Sequence, residues 1–281
     1  MKLKQKIAIR YIRAKFKILS SISKKKAAEQ AFELFCTPQT RNTKALPPVF
    51  QTAEKLQLDF QRYSVAGYRW NKNAAQKALI VHGFESSAIN FDHYIPALVA
   101  KGYEVLAFDA PAHGRSSGKQ INALIYADLI KHIIRHYGPI QTYIAHSFGG
   151  LVTCLGLADI SHDEPCKLVL IAPATETSTA IDQFFQLLAV TDATVKNEFE
   201  KIITRISGQP LSWFSISRSI RKINASILWV HDEDDKTTPL RDVYKIKDGG
   251  YDNICFLITK GLGHRRIYGD AEVSRRIMEF V

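Results

Sequence analysis

The fold is decided by the stretch TYIAHSFGG, which occupies residues 142–150. An apolar run suited to a buried strand leads into Ser147, and a run of helical composition follows it. A serine on a sharp turn between a strand and a helix holds its hydroxyl above the sheet, where it can act as a nucleophile. Such a turn requires small residues two positions before and after the serine, and Ala145 and Gly149 meet that requirement. The same pattern also fits an ordinary tight turn with an incidental serine.

Short apolar runs alternate with longer helical segments on both sides of this turn. The runs typical of strands lie at residues 56–60, 63–70, 78–81, 104–108, 142–145, 168–171, 226–230 and 254–258. The helical segments between the later strands lie at about 88–101, 120–137, 149–160 and 266–280. Fully apolar strands separated by helices are typical of a parallel sheet covered on both faces. We therefore predict an α/β fold with a mostly parallel central sheet of about eight strands, in which the first two strands are antiparallel.

Two segments depart from this alternation. Residues 175–222 have helical composition between two strands, and we predict a helical cap inserted over one end of the sheet. Residues 1–50 form a predicted basic helical extension, which leaves 51–281 as the main domain. The cap carries Phe184, Phe185 and Trp213, which either line an apolar substrate pocket or form the core of the cap itself.

The net charge of +11 is concentrated at the start of the chain. Residues 1–28 contain ten lysines and arginines and no acidic residue, whereas the rest of the chain has 28 basic and 27 acidic side chains. The nearly neutral remainder argues against a nucleic-acid-binding enzyme. Part of the basic arm falls on one predicted helical face: Lys2, Lys6, Arg10, Arg13, Lys17 and Lys24. The arm either contacts an anionic membrane peripherally or packs its apolar side on the domain.

The chain lacks the sequence features of secretion and membrane insertion. The apolar residues of the arm are interrupted by charges, so it does not fit a secretory signal, and no apolar run approaches the roughly 20 residues of a spanning helix. The four cysteines form no C-x-x-C pair, and Cys154 and Cys255 are expected to be small buried apolar residues of a protein in a reducing compartment. We expect a cytoplasmic location, with possible peripheral membrane contact.

Polar residues follow the ends of several predicted strands. Residues 82–84, His-Gly-Phe, come after one strand and suit a loop that presents a backbone N–H. Four consecutive acids occupy 232–235, and His264 follows a later strand in a glycine-rich loop. Clustered carboxylates can also bind a cation, but consecutive acids in a strand alternate sides and no D-x-D-x-D-G loop is present, so no metal is expected. His82, His113 and Arg115 are interpreted as residues that shape loops.

The order oxyanion loop, serine, acid, histidine at successive strand ends resembles the α/β-hydrolase superfamily from about residue 78 to the C terminus. The resemblance implies a nucleophile at Ser147 and a base at His264, with oxyanion donors at the N–H groups of Phe84 and Phe148. The superfamily places its acid four residues before a proline, which selects Asp235, with Asp232 and Asp234 as the alternatives. This chain departs from the pattern in having Ala145 where glycine is usual, and its first 50 residues have no counterpart.

These observations predict a serine hydrolase. The enzyme would cleave a carboxylic ester or thioester through an acyl-enzyme on Ser147, and its partner would be a small acyl substrate. An acyltransferase that uses the same triad is the alternative, and a non-catalytic binding scaffold is a third hypothesis. No cofactor and no nucleic acid are expected, and the sequence leaves the oligomeric state open.

Overall fold

The computed structural model of the chain describes residues 3–160 and 166–281, with side chains from Ile7 onward. Lys2 and the side chain of Lys6, which belong to the predicted basic face, lie outside the described residues. The strands are β1 (Glu54–Phe60), β2 (Tyr63–Trp70), β3 (Gln76–Val81), β4 (Tyr103–Phe108), β5 (Thr142–His146), β6 (Cys166–Ile171), β7 (Ala225–Asp232) and β8 (Ile254–Thr259). The helices are α1 (Leu3–Ile22), α2 (Lys24–Phe35), α3 (Pro48–Gln51), α4 (Tyr94–Ala100), α5 (Ala123–Tyr137), α6 (Phe148–Ala158), α7 (Thr177–Leu188), α8 (Ala193–Ser207), α9 (Ile216–Ser219), α10 (Tyr244–Lys247), α11 (Gly263–Arg266) and α12 (Ala271–Phe280).

The strands form a single eight-stranded sheet in the order β1-β2-β4-β3-β5-β6-β7-β8. Strand β2 is antiparallel to β1 and to β4, and every other neighbouring pair is parallel. This confirms the predicted α/β fold with a mostly parallel sheet. The carboxyl ends of β3, β5, β6, β7 and β8 lie side by side at one edge, so the loops that follow these strands meet there.

The centre of the sheet is buried on both faces, as the apolar runs predict. Every residue of β4 and β5 is buried, and Trp229 in β7 has no exposed surface. The edge strand β8 differs, because a strand at an edge has one neighbour fewer to cover it. Cys255 in β8 is exposed, so the prediction that it is a buried apolar residue was wrong. Cys154, in the same prediction, is buried.

The chain divides into two compact units. The helical unit contains Met1–Thr37 and Glu176–Phe214, and the sheet unit contains Pro38–Thr175 and Ser215–Val281. The basic arm and most of the predicted insertion therefore belong to the same unit.

The helical unit has an aromatic core of its own. The ring of Phe199 in α8 lies 5.6 Å from Phe32, 5.7 Å from Phe35 and 5.3 Å from Phe185, in edge-to-face arrangements. Each such aromatic pair contributes about 0.5–1.5 kcal/mol of stability beyond that from the burial of its apolar area. None of the helices in the described ranges is long and apolar enough to cross a membrane.

Candidate active site

Ser147 occupies a strained turn between β5 and α6. Its φ of 56° and ψ of −121° lie outside the conformations that a residue with a side chain favours. A Cβ at Gly149 would lie 2.6 Å from the carbonyl oxygens of Val81 and His82, and one at Gly83 would lie 2.9 Å from the Cβ of Ser147. Because both glycines permit close contact, the loop after β3 and the turn after β5 lie against each other.

Ser147, His264 and Asp235 form one chain of hydrogen bonds. Nε2 of His264 lies 2.9 Å from Ser147 Oγ, and Nδ1 of His264 lies 2.8 Å from Asp235 Oδ2. Asp235 Oδ1 also accepts hydrogen bonds from the amides of Thr237 and Thr238, and the Thr238 hydroxyl lies 2.8 Å from Oδ2. Burial raises the pKa of Asp235, but its hydrogen bond with His264 and the nearby imidazole outweigh burial and leave the pKa below its ordinary value. The histidine is thus held between a hydroxyl and an ionised carboxylate.

The neighbouring acids Asp232 and Asp234 support the loop that carries the histidine. Asp234 accepts a hydrogen bond from the amide of Gly261. Asp232 accepts from four donors, which are the amides of Asp234, Leu262 and Gly263 and the hydroxyl of Thr259. Burial raises the pKa of Asp232, but these four donors outweigh burial and lower it. Asp232 and Asp234 therefore both hold the segment 261–263, which directly precedes His264.

Two backbone N–H groups beside Ser147 are available to bind an anion. The N–H groups of Phe84 and Phe148 have no hydrogen-bond acceptor among residues 3–160 and 166–281. Both flank the nucleophile, one from the loop after β3 and one as the first residue of α6. An unpaired N–H at a helix start favours negative charge. The two phenyl rings are half-buried and meet edge to face at 5.9 Å, so they add apolar surface to the same place.

His82 and His113 shape the loops around the site, as the sequence interpretation proposed. His82 is fully buried, with Nδ1 2.7 Å from the carbonyl of Gly83 and Nε2 accepting the amide of Ala110. Nε2 of His113 accepts the amide of Glu85. Burial lowers the pKa of His82 to about 4, and burial with the nearby His82 lowers that of His113 to about 3. Both rings therefore stay neutral at physiological pH.

Asp109 joins the same two loops. Its carboxylate accepts hydrogen bonds from the amide of Ala88, in the loop after β3, and from the amide of Arg115. Arg115 thus contributes its backbone to the loop, in keeping with the structural interpretation.

His146 is a residue of the site whose role the sequence did not reveal. Its Nε2 lies 3.1 Å from the carbonyl oxygen of His264, so a neutral ring donates there and fixes the backbone that carries the base. Its ring also lies 4.8 Å from those of His264 and Tyr268. Burial, followed by the nearby His264, lowers the pKa of His146 to about 3. Adjacency to the nucleophile was the only signal in the sequence.

The predicted pocket residues all lie in the helical unit. Phe185 is buried, and Phe184 and Trp213 are half-buried. The ring of Phe184 lies 5.1 Å from that of Phe35, and the ring of Trp213 lies 5.0 Å from that of Phe214. These contacts give the aromatic residues a packing role, and their contact with substrate stays a prediction.

The geometry and the sheet together define the class as an α/β-hydrolase. A model of the family described as serine aminopeptidase, S33, matches residues 72–213, about half of the chain. The chain belongs to this family of hydrolases, which confirms the resemblance seen in the sequence. The match includes Phe84 and Ser147 but ends before Asp235 and His264. The evidence that these two residues belong to the site is therefore their hydrogen-bond geometry and not the family match.

Two curated proteins match a shorter segment. The uncharacterized hydrolase YugF of Bacillus subtilis is 32% identical over 102 residues, which are 33% of this chain and 37% of that protein. A serine hydrolase-like protein of Dictyostelium discoideum is 30% identical over 104 residues, which are 35% of this chain and 29% of that protein. The matched segments therefore span only 37% and 29% of the two relatives.

Solved structures share the fold over most of the chain. An esterase of Pyrococcus furiosus superposes with a TM-score of 0.64 at 20% identity, covering 87% of this chain and 95% of its own. A thioesterase domain from the curacin biosynthetic pathway superposes with a TM-score of 0.57 at 17% identity, covering 81% of this chain and 98% of its own. At this identity the likeness concerns the fold.

Proposed function

We propose that the protein is a serine hydrolase that cleaves a carboxylic ester or thioester through an acyl-enzyme on Ser147. The observation that carries the proposal is the continuous chain from Asp235 through His264 to Ser147, with 2.8 and 2.9 Å between successive heavy atoms. A nucleophile, a base and an acid at hydrogen-bonding distance are the requirements of this chemistry. The fold, the strained turn and the family support the same function.

In the acylation step, Ser147 Oγ attacks the carbonyl carbon of the substrate while His264 Nε2 takes its proton. Asp235 stays ionised, holds the proton of His264 on Nδ1 and stabilises the imidazolium that forms. The N–H groups of Phe84 and Phe148 bind the oxyanion of the tetrahedral intermediate. Each such donor contributes about 3–4 kcal/mol to the stability of the transition state. His264 then gives its proton to the departing alcohol or thiol as the C–O or C–S bond breaks.

In the deacylation step, water takes the place of the alcohol. His264 removes a proton from the water, the resulting hydroxide attacks the acyl carbon, and the same two N–H groups bind the oxyanion. His264 returns the proton to Ser147 Oγ, and the carboxylic acid leaves. No group outside these residues is needed to balance the reaction.

The surroundings of Ser147 favour a substrate with an apolar part. The half-buried rings of Phe84 and Phe148 lie against each other at the nucleophile, and Tyr126 packs on Phe148 at 5.6 Å. Substrate pockets are lined mainly by apolar and aromatic side chains, with few polar groups for orientation. We also propose that the enzyme works in the cytoplasm, because all four of its cysteines are free.

The test is hydrolysis of p-nitrophenyl esters, from acetate to decanoate, by the wild type, Ser147→Ala and Ser226→Ala. Ser226 is an exposed serine at the start of β7, the end remote from the site, and serves as the matched control. We expect Ser147→Ala to lower kcat by about 10⁴- to 10⁶-fold, as removal of a nucleophile does in other serine hydrolases. Ser226→Ala should keep full activity, and a covalent acyl adduct should map to Ser147 by mass spectrometry.

Amides provide the opposing arm of the test, since the family is described as an aminopeptidase. Amino-acid p-nitroanilides should be cleaved far more slowly than the esters. Faster turnover of the anilides would mean that the substrate is a peptide and not an ester, and the assignment of Ser147 as nucleophile would stand. Equal activity of Ser147→Ala and the wild type on every substrate would refute the proposal.

A further inference from the structure

Helix α1 carries two apolar faces, and only one of them is packed. Its inner face contains Phe16, which is 2% exposed, with Ile9, Ile12 and Leu19 half-buried at helical spacing beside it. The other face, called the α1 stripe below, consists of Ile7, Tyr11, Ile18 and Ile22. These four side chains are 59%, 71%, 62% and 74% exposed.

The α1 stripe is continuous along the helix. Its members follow one another at intervals of four, seven and four residues, the spacing that keeps side chains on one helical face. It is roughly 22 Å long, because an α-helix rises about 1.5 Å per residue. Among the residues whose side chains are described, seven large apolar side chains are exposed; six of them lie in the helical unit, and four of those six form the stripe. An exposed apolar row of this length marks an interaction surface.

Positive charge surrounds the stripe on both sides. At helical spacing, Arg10 and Lys17 lie along one side of it and Lys15 along the other. All three are exposed, and among the described residues none of them has an acidic partner. Arg13 and Lys24 differ, because Arg13 donates to the carbonyl of Leu187 and Lys24 pairs with Asp192.

The first turn of α2 adds further positive charge, at the end of the helix where cations are least favourable. Lys24, Lys25 and Lys26 occupy the first turn of α2, which has no acidic residue. Cations at a helix N-terminus are unfavourable, since that end of the helix dipole is positive. The lysines therefore add positive charge at a cost to the helix, which a polyanionic partner would offset.

We propose that the α1 stripe and its flanking cations form a docking surface for an anionic lipid bilayer. In that position, α1 lies in the plane of the interface, with the stripe among the acyl chains and the cations at the lipid phosphates. The combination of an apolar face and bordering lysines and arginines fits a surface that is apolar inside and negatively charged outside. A nucleic acid would satisfy the charge but would leave the stripe in water.

The test is co-sedimentation of the full chain with vesicles. One set contains phosphatidylcholine and phosphatidylserine in a three-to-one molar ratio, and the other contains phosphatidylcholine alone. We expect the affinity for the mixed vesicles to be about a hundredfold higher, and to fall as salt is added. Similar affinity for both sets would overturn the proposal, as would no binding to either.

Two sets of substitutions separate the charge from the stripe. Combined Arg10→Ser, Lys15→Ser and Lys17→Ser should weaken binding to the mixed vesicles about a hundredfold, because each cation near an anionic surface contributes a factor of about five. Combined Ile18→Ser and Ile22→Ser should weaken it about tenfold. All of these positions are exposed, and circular dichroism verifies that the variants fold. Unchanged binding by the Ile18 and Ile22 variant would overturn docking through the stripe.

The matched control is in the sheet unit. Tyr244, Lys245 and Lys247 combine one exposed aromatic residue with two exposed cations in α10, and their replacement by serine should change the affinity less than twofold. The competing occupant is a second copy of the chain, which sedimentation velocity detects. A wild-type dimer that becomes a monomer in the Ile18 and Ile22 variant, with no vesicle binding, would assign the stripe to self-association instead.

Discussion

The two units differ in the kind of side chain that each holds in an unfavourable environment. The sheet unit buries charged and titratable groups, and Asp232, Asp235 and His82 are no more than 4% exposed. Each of these three has several hydrogen-bond partners, which offset the loss of water. The helical unit does the reverse and leaves apolar side chains in water, with Tyr11 at 71% exposure and Ile22 at 74%.

This difference shows where a function can be inferred in each unit. Burial of polar groups is unfavourable unless they are hydrogen-bonded or take part in chemistry. The buried polar groups of the sheet unit therefore indicate its candidate active site. An exposed row of apolar side chains marks an interaction surface, so those of the helical unit support the proposed docking surface. The predictions below test both halves of this comparison.

After Ser147→Ala, the largest effect is expected from Asp235→Asn. The amide keeps the shape of the carboxylate, and its oxygen can still accept from the amides of Thr237 and Thr238. Its NH₂ would face His264 Nδ1 and impose the wrong tautomer, which leaves Nε2 protonated and unable to take the proton of Ser147. We expect kcat for the preferred ester to fall about 10⁴-fold, or about 5.5 kcal/mol, with little change in stability.

Asp232→Asn is the matched comparison for this activity measurement, because it is also a buried acid replaced by its amide. If Asp232→Asn lowers kcat by 10⁴-fold or so while Asp235→Asn stays active, the assignment of the two acids is reversed.

Acid is expected to destabilise the sheet unit through its buried histidines. The pKa values of His82, His113 and His146 are lowered from 6.5 to about 4, 3 and 3. The unfolded chain binds protons at these rings below pH 6.5 and the native protein does not, so the free energy of unfolding falls as the pH falls from 6.5 towards about 4. Between pH 7.5 and 5.5 the three rings should together lower it by about 4 kcal/mol, as measured by urea unfolding.

His113→Gln isolates one ring of the three. It should reduce the difference in unfolding free energy between the two pH values by about 1.4 kcal/mol, because one proton uptake is lost. His136→Gln, at an exposed histidine of α5, is the control for replacing a histidine by glutamine, and should change the free energy of unfolding at pH 7.5 by less than about 0.5 kcal/mol. A pH dependence that is the same in the His113 variant and the wild type would contradict the burial of a neutral ring.

Much of the sheet unit could be predicted from the sequence, because its strands are short apolar runs followed by polar and glycine-containing loops. The antiparallel pair β1 and β2 and the parallel strands β3 to β8 fall within a few residues of the predicted ranges. The structure also joins Ser147 and His264, which follow predicted strands, with Asp235, which the superfamily resemblance selected from the acids after a third strand. The order of the site residues along the chain was informative, because parallel strands bring their carboxyl ends, and the residues that follow them, to one edge of the sheet.

The remaining features depend on tertiary contacts that a local pattern does not contain. The bond of His146 to the carbonyl of His264 links residues 118 positions apart, and three of the four donors to Asp232 lie 27 to 31 positions further along the chain. Cys255 occupies an apolar run and is exposed only because β8 is at the edge. Helix α1 is amphipathic in the sequence, yet which of its apolar residues are packed follows from the neighbouring helices.

Asp232→Asn should have an intermediate effect, on stability more than on chemistry. The amide NH₂ cannot accept, so two of the four donors on Asp232 lose their acceptor in a loop that also positions His264. We expect the free energy of unfolding to fall by about 2–3 kcal/mol. Displacement of His264 should lower kcat by about 10²-fold. Urea unfolding and ester hydrolysis on one sample measure both, and an unchanged stability would contradict the bracing role of Asp232.

The smallest effect is expected from Ile18→Ala, which tests whether the helical unit gains any stability from the α1 stripe. Ile18 is 62% exposed, so its truncation removes little buried area and should change the free energy of unfolding by less than about 0.5 kcal/mol. Phe16, two residues earlier on the same helix, is 2% exposed, and Phe16→Ala should cost about 3–5 kcal/mol by leaving a cavity. Thermal and urea unfolding of the two variants compare the inner face with the stripe directly. A cost for Ile18→Ala close to that for Phe16→Ala would mean that the stripe is packed in solution, and it would then have no surface free for a partner.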